Sequence, residues 1–342
     1  MLKMAYSFRL PPITDLTIEQ QMVLSETQPV SLSGGAGTGK TVVSLWKHIE
    51  NTDTLNKNSL LVTYTKTLRV YLYNCTLAES VNASSKICSA FNIINCDEII
   101  IDEAQDLELL TLENINSYAQ NISYGADFNQ RLYSQGITET EIKNLFTDNI
   151  EYTLHQNFRN TSEIINFTKS VLPDFLISDA DIEGILPIIS IVNDFEEQMD
   201  KIIAIVNDFQ SDAHNIAILL PFGDGKNNQG NIWDRLYNQC VEKYYTHLIN
   251  RGIQCSKYYN DESINNVEIN NIHITTFKSA KGLEFDTVII PNFHQFRNNI
   301  SYFNVVNEKD YYVAFTRTVK NLYLLSSSEL EFIDSNTYEL EG

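Results

Sequence analysis

Short apolar runs alternate along the chain with longer segments in which apolar residues recur at helical spacing. Within the first 150 residues, apolar runs at 29–33, 59–64, 98–102 and 122–127 are rich in β-branched residues. Such continuous runs predict strands that are buried on both faces of a parallel sheet. The segment 40–50, directly behind the first run, has the spacing of an amphipathic helix.

The same alternation starts again after Ile150. Strands are predicted at 151–154, 187–192, 215–222, 253–259, 272–277, 286–293 and 322–327. Helices are predicted at 161–172, 194–209, 232–250 and 309–320, and a polar connector occupies 223–231. Because alternating strands and helices favour parallel sheets covered by helices, we predict an α/β chain. Its two domains are expected at residues 1–150 and 151–342.

The composition fits a folded protein without a membrane segment. The N-terminus has no continuous apolar signal region, and no apolar run among the 342 residues reaches the length of a membrane helix. The five cysteines include no Cys-x-x-Cys pair, and the six histidines have no ligand-like spacing. We therefore expect a cytoplasmic protein with reduced thiols, no membrane partner and no structural metal site.

The charge of the chain argues against bulk attraction to nucleic acid. Lys and Arg number 24 against 44 Asp and Glu, which gives a formal net charge of −20. Because such a surface repels phosphates, binding to nucleic acid would need a local basic track or a surface supplied by a partner.

The stretch SGGAGTGKT, residues 33–41, follows the first predicted strand and opens the first predicted helix. It fits the pattern of a phosphate-binding loop, whose backbone N–H groups and helix N-terminus attract phosphate oxygens. The loop residues expected to contact a nucleotide are Gly34, Gly35, Ala36, Gly37, Thr38, Gly39, Lys40 and Thr41. Lys40 would reach the β- and γ-phosphates, and the Thr41 hydroxyl would ligate Mg²⁺.

The second chemical signal is IIIDEAQD, which closes the predicted strand at 98–102. A carboxylate at a strand end can hold Mg²⁺, and we assign this role to Asp102. Glu103 beside it could polarise the attacking water. An Asp-Glu pair could instead cap a helix at this position. Because the pair follows a phosphate loop, the favoured hypothesis is hydrolysis of ATP with Mg²⁺ as the cofactor.

SGGAGTGKT and DEAQD resemble the motifs of superfamily 1 helicases of the UvrD/Rep/PcrA kind, and further motifs follow in that family's order. The matching segments are LTIEQQMVL, VTYTKTL, YGADFNQRLY, HQNFRNTSEI, TTFKSAKGLEFDTVIIP and YYVAFTRTVKNLYL. The resemblance extends over residues 11–326. It implies two tandem RecA-like parallel-sheet domains with the ATP site in the cleft between them.

The resemblance also implies roles for individual residues of the first motifs. Gln20 would hydrogen-bond adenine, and Gln130 would sense the γ-phosphate. Phe158 would stack on adenine, although a place in the core is an open alternative for it.

In the second predicted domain the resemblance implies two arginine fingers. Arg159 and Arg317 would reach the γ-phosphate, and Glu284 would lie near the ribose and the γ-phosphate. Two arginines that reach across a cleft can stabilise charge on the transferred phosphoryl group. The same contacts would draw the domains together when ATP binds and release them after hydrolysis. Either arginine alone could be a surface ion pair.

Contacts with single-stranded nucleic acid are implied as well. The residues that would make them are Tyr64, Thr65, Lys66, Thr276 and Lys278. Tyr64 is the candidate for base stacking, and a buried strand position is the alternative for it. Lys281 could serve either the nucleic acid or the nucleotide.

The sequence departs from the family in several places. Residues 69–97 are too few for the accessory domain that the family usually inserts there, and 160–272 leave little room for its other large insertion. No aromatic residue follows Tyr133 where the family has a base-stacking side chain, and Phe277 replaces a commoner histidine. The chain is therefore expected to be close to a bare motor core.

Two functions from different classes follow from these observations. The first is an ATP-dependent translocase or helicase on single-stranded DNA, with the 3′→5′ direction that the resemblance implies and with a partner such as a nuclease. The second is an ATP-switched regulatory subunit that controls a partner without unwinding DNA. The acidic surface would then be an interaction face. The choice of DNA over RNA, the partner and the oligomeric state stay open at this point.

Overall fold

A computed structural model describes residues 10–63, 81–83, 96–175, 177–209, 211, 214–226, 234–259, 269–303 and 306–341. This part of the chain divides into two compact units, one that ends at Phe158 and one that begins at Arg159.

The first unit is built on a six-stranded sheet with the order β3-β2-β4-β5-β1-β6 and parallel pairings throughout. Its strands are β1 (Val30–Gly34), β2 (Ser59–Thr63), β3 (Val81–Ala83), β4 (Cys96–Asp102), β5 (Ala119–Ala126) and β6 (Ile150–Leu154). Its helices are α1 (Ile18–Ser25), α2 (Lys40–Ile49), α3 (Leu109–Asn116) and α4 (Glu139–Leu145). The buried strand residues predicted from apolar runs form its core, with Ile99, Ile101 and Ile122 against Leu112 and Ile142.

The second unit is built on a seven-stranded parallel sheet. Its strands are β9 (Ile188–Ile191), β10 (Ile216–Leu220), β11 (Ser256–Tyr258), β12 (Ile272–Thr276), β13 (Phe285–Ile290), β14 (Thr318–Ser326) and β15 (Glu339–Glu341). They lie in the order β11-β12-β10-β13-β14-β9-β15. A separate pair of strands consists of β7 (Asn157–Thr161) and β8 (Ala180–Ile182). The helices are α5 (Ser162–Val171), α6 (Phe195–Phe209), α7 (Asp234–Tyr237), α8 (Val241–Asn250), α9 (Phe296–Asn298) and α10 (Glu308–Thr316).

The predicted fold class, an α/β chain with two tandem RecA-like parallel sheets, is confirmed. Three predicted elements differ in detail. The strand expected to open the second domain is β6, which pairs with β1 from Val30 to Gly34 and so completes the first sheet. The helix expected at 232–250 is interrupted at Cys240, whose extended backbone caps α8. The helix expected at 309–320 ends at Thr316, because β14 begins at Thr318 and pairs with β13.

Helix α2 carries polar residues on its buried face. Lys47 donates a hydrogen bond of 3.0 Å to the carbonyl of Glu26, and its Nζ lies 3.9 Å from the carboxylate of Glu98. The ring of His48 is 3.1 Å from the hydroxyl of Ser59, and burial lowers the pKa of His48 to about 4. Since buried polar groups are costly without partners, these contacts allow α2 to pack its polar face against the sheet.

Candidate nucleotide-binding site

The predicted phosphate loop connects β1 to α2. Gly34, Gly37 and Gly39 have φ angles of 153°, 72° and 88°, which residues with a Cβ rarely adopt. A Cβ at Gly34 would lie 2.7 Å from both the carbonyl oxygen of Leu154 and the hydroxyl of Thr38. The loop can therefore keep its shape only with glycine at this position. It leads into the N-terminus of α2, a helix end that attracts phosphate groups.

Lys40, the first residue of α2, lies against the loop with only 7% of its surface exposed. Its Nζ donates hydrogen bonds of 2.8 Å to the carbonyls of Gly34 and Gly35. The hydroxyl of Thr38 donates to the carbonyl of Gly35 at 3.0 Å, and Ala36 is buried. The ammonium group is thus held by the same loop that is expected to surround the phosphates.

Thr41 and Asp102 are in direct contact. The Thr41 hydroxyl donates a hydrogen bond of 2.8 Å to Oδ2 of Asp102, which ends β4 and is 1% exposed. A hydroxyl and a carboxylate side by side are hard oxygen ligands of the kind that Mg²⁺ prefers. The donor set that the sequence assigned to Mg²⁺ is therefore brought together and fits this ion.

Gln20 packs directly against the loop from α1. Its Nε2 donates to the carbonyl of Thr38 at 3.1 Å, and its Oε1 accepts from the backbone N–H of Thr17 at 3.0 Å. A Cβ at Gly39 would lie 2.4 Å from Nε2 of Gln20. In this arrangement the amide shapes the loop, and its contact with adenine stays a prediction.

Glu103 has an unusual backbone for a residue with a side chain. Its φ of 59° and ψ of 42° lie in the left-handed region, and the residue is 9% exposed. Such conformations cost free energy and cluster at functional sites. The turn directs the chain from β4 into the short helical segment Ala104–Asp106.

Glu103 and Gln130 are linked through two residues that the sequence analysis did not select. Nε2 of Gln105 donates to Oε2 of Glu103 at 2.5 Å, and Oε1 of Gln105 accepts from the backbone N–H of Asp127 at 3.1 Å. The carboxylate of Asp127 accepts a hydrogen bond of 2.6 Å from Nε2 of Gln130. Gln105 lies in the motif DEAQD and Asp127 in YGADFNQRLY, so their place in these motifs could have identified them from the sequence.

In the second unit Arg159 and Glu284 form an ion pair. Nε of Arg159 lies 2.9 Å from Oε2 of Glu284, and their side chains are 17% and 32% exposed. Phe158, which precedes Arg159 in β7, belongs to the first unit and is 42% exposed. Its exposure excludes the alternative of a core position.

Arg317 is almost completely buried, with 2% of its surface exposed. Its guanidinium donates to the carbonyls of Val313 at 3.1 Å and Leu283 at 3.4 Å, and to the hydroxyl of Thr316 at 3.3 Å. Since Leu283 precedes Glu284, the second unit brings Arg159, Glu284 and Arg317 into one neighbourhood. Whether the arginines reach a γ-phosphate stays a prediction.

The predicted nucleic-acid contacts are only partly within the described residues. Thr276 ends β12, and its hydroxyl accepts from the backbone N–H of Ser279 at 3.2 Å. Lys278 is half-buried in the following turn, whereas Lys281 is 1% exposed. Phe277 is buried against Tyr311, with ring centroids 4.8 Å apart. Three further candidates, Tyr64, Thr65 and Lys66, lie outside the described residues.

Asp310 is a buried carboxyl that the sequence analysis missed. It is the third residue of α10 and forms a capping box with the N-cap Asn307, whose backbone N–H donates a hydrogen bond of 2.8 Å to Oδ2 of Asp310. Burial raises the pKa of Asp310 to about 6, although the positive charge of Lys278 acts in the opposite direction.

This carboxyl makes the stability of the protein depend on pH. As the pH rises from about 4 to about 6, the Asp310 carboxyl loses its proton in the unfolded chain before it does so in the folded protein. Deprotonation therefore favours the unfolded state, and the free energy of unfolding falls over this range. Asp310→Asn keeps an oxygen for the cap. We expect this variant to match the wild type below about pH 4 and to exceed its free energy of unfolding by about 1–3 kcal/mol above about pH 6. Urea denaturation of both proteins across this pH range measures the difference, and a difference independent of pH would contradict the assignment.

The described residues lack two kinds of feature. No helix among them is long and apolar enough to span a membrane. Nor do they contain a group of three or more His, Cys, Asp or Glu side chains placed to hold a metal ion.

Comparison with known proteins gives matches to helicases. Residues 244–329 match the model of the UvrD-like helicase C-terminal domain. Over 278 residues the chain is 27% identical to a protein of Acanthamoeba polyphaga mimivirus whose name is "Putative ATP-dependent DNA helicase R568". The match covers 75% of this chain and 37% of that protein, so the chain spans little more than a third of this relative's length.

Solved structures of helicases are similar in part. The C-terminal domain of a possible DNA helicase from Lactobacillus plantarum WCFS1 is 22% identical, with a TM-score of 0.38, and the match covers 54% of this chain and 99% of that one. The PRRSV helicase is 12% identical, with a TM-score of 0.47, and the match covers 91% of this chain and 54% of that one.

The family match falls on the part of the chain that carries Glu284 and Arg317. These two residues belong to two of the further motifs on which the resemblance to the family rests. The resemblance of this chain to superfamily 1 helicases of the UvrD kind is therefore confirmed.

Proposed function

We propose that the protein is an ATP-dependent translocase or helicase that acts on single-stranded DNA. The observation that carries this proposal is the match of residues 244–329 to the UvrD-like helicase C-terminal domain, on the same chain as a phosphate loop. The contact between Thr41 and Asp102 supports ATP and Mg²⁺ as its substrate and cofactor.

In the first unit, each residue has a distinct task in ATP hydrolysis. Lys40 binds the β- and γ-phosphates, and Thr41 and Asp102 would hold Mg²⁺, which neutralises phosphate charge when bound. Glu103 accepts a proton from the attacking water at its carboxylate. Gln130 contacts the γ-phosphate.

In the second unit, Arg159 and Arg317 act as arginine fingers on the γ-phosphate, in a cleft between the two units. Positive charge placed there stabilises the transferred phosphoryl group. To reach the nucleotide, Arg159 must break its ion pair with Glu284. Because this pair is partly exposed, breaking it costs less free energy than breaking a buried pair would. Cycles of ATP binding and hydrolysis close and open the cleft, and this movement drives the motor.

Single-stranded DNA is proposed to bind through Tyr64, Thr65, Lys66, Thr276 and Lys278, with movement in the 3′→5′ direction. The net charge of −20 favours a partner protein, such as a nuclease, that adds DNA-binding surface.

The test is the ATPase rate of the purified chain at one fixed salt concentration, with and without a single-stranded DNA or RNA oligonucleotide. We expect DNA to stimulate hydrolysis. Loss of one stacked base is worth about 1–3 kcal/mol, so Tyr64→Ala should raise the DNA concentration for half-maximal stimulation by about fivefold or more. Tyr64→Phe keeps the aromatic ring and is the matched control. If neither DNA nor RNA changes the ATPase rate, the translocase or helicase proposal is wrong, and the ATP-switched regulatory subunit is favoured.

A further inference from the structure

Gln105 is a fully buried glutamine, with 0% of its surface exposed, two residues after Glu103. It lies in the short helical segment Ala104–Asp106, which begins where the backbone of Glu103 takes its left-handed conformation. A polar side chain in such a place needs partners for both ends of its amide.

Both ends of the Gln105 amide have partners with opposite hydrogen-bonding character. Nε2 donates to a carboxylate oxygen of Glu103 at 2.5 Å, and Oε1 accepts from the backbone N–H of Asp127 at 3.1 Å. Because one partner accepts and the other donates, the amide can take only one of its two flipped orientations. The side chain therefore restrains the Glu103 carboxylate from one side.

The same amide is the first link of a short hydrogen-bonded chain. Asp127 caps the helical segment Phe128–Gln130, where its carboxylate accepts from the N–H of Asn129 at 3.0 Å and from Nε2 of Gln130 at 2.6 Å. Two residues that the proposed function places at the γ-phosphate, Glu103 and Gln130, are thus joined through Gln105 and Asp127.

We propose that Gln105 is a positioning residue for ATP hydrolysis, which holds the Glu103 carboxylate in its reactive orientation and links it to the turn that carries Gln130. This inference rests on the proposed function, and it adds a residue that acts on the reaction through Glu103. A general base must lie within hydrogen-bond reach of the water that it deprotonates, and a displacement of about 1 Å can cost 100-fold in rate.

The test is Gln105→Leu, which keeps a side chain of similar volume and removes both hydrogen bonds. We expect kcat for ATP to fall by about 10- to 100-fold, while KM changes by less than about threefold. The matched control is Gln198→Leu. Gln198 is another buried glutamine with both amide ends bonded, to the hydroxyl of Tyr244 and the N–H of Asn292, and kcat should not change there.

A double-mutant cycle separates positioning from general support of the fold. If Gln105 acts through Glu103, Gln105→Leu should lower single-turnover hydrolysis no further in a Glu103→Gln background. A further fall of the same size in that background would mean that Gln105 only supports the structure, and would overturn the inference. An unchanged kcat for Gln105→Leu would overturn the inference about Gln105 and leave the proposed function intact. If the wild type does not hydrolyse ATP at all, both the proposed function and this inference are wrong.

Discussion

Replacing Glu103 with Gln is expected to lower kcat for ATP by about 10²- to 10⁴-fold while ATP binding stays within about threefold of the wild type. The reason is that the amide has the size of the carboxylate but cannot accept the proton of the attacking water. The left-handed backbone of Glu103 and its bond to Gln105 do not require the negative charge, so the turn should survive the change. Steady-state ATPase rates and binding of a fluorescent ATP analogue measure the two quantities separately.

The control is Glu108→Gln, the same substitution at an exposed position after the turn, which should leave both quantities unchanged. A Glu103→Gln protein that hydrolyses ATP at the wild-type rate would show that another group activates the water.

Replacing Lys40 with Ala is expected to lower the affinity for ATP. A hydrogen bond between charged groups contributes about 1.5–3 kcal/mol, so the affinity for ATP should fall by about 10- to 150-fold. The two loop carbonyls that accept from Lys40, those of Gly34 and Gly35, would also lose their donor, and the loop should become less ordered. Titration calorimetry with ATP measures the loss of affinity.

Lys143→Ala is the control for Lys40→Ala, since Lys143 is an exposed lysine that pairs with Glu139 and Glu151. It removes the same charge without touching the loop, and its affinity for ATP should equal that of the wild type. An unchanged affinity in the Lys40→Ala protein would mean that the loop does not bind phosphate through this residue.

Most strands of the two sheets were predictable, because continuous apolar runs are typical of strands buried on both faces. The short edge strands β3 and β15 were not predicted. The order in which these strands pair was harder to predict from the sequence. The apolar pattern of β6 is the same for the first strand of the second sheet as for the last strand of the first sheet. Only its pairing with β1 shows that it belongs to the first sheet. The break at Cys240 was hidden for a related reason, since the helical spacing on its two sides is continuous in the sequence.

The motifs placed Lys40 at the phosphate loop and Thr41 beside Asp102, and the contacts of these side chains agree with that placement. Their roles toward a nucleotide and Mg²⁺ stay predictions. Gln105 and Asp310 were missed because their roles depend on burial and, for Gln105, on the contact with Asp127, which is distant in sequence. A buried carboxyl with a raised pKa, such as that of Asp310, has no signature in a chain where acidic residues are common.

The chain leaves the first unit directly beside the phosphate loop. The boundary lies within β7, where Phe158 ends one unit and Arg159 begins the other. The N–H of Phe158 donates to the carbonyl of Gly37 in the phosphate loop at 2.9 Å. One hydrogen bond and one peptide bond therefore separate the phosphate loop from Arg159, the first residue of the second unit.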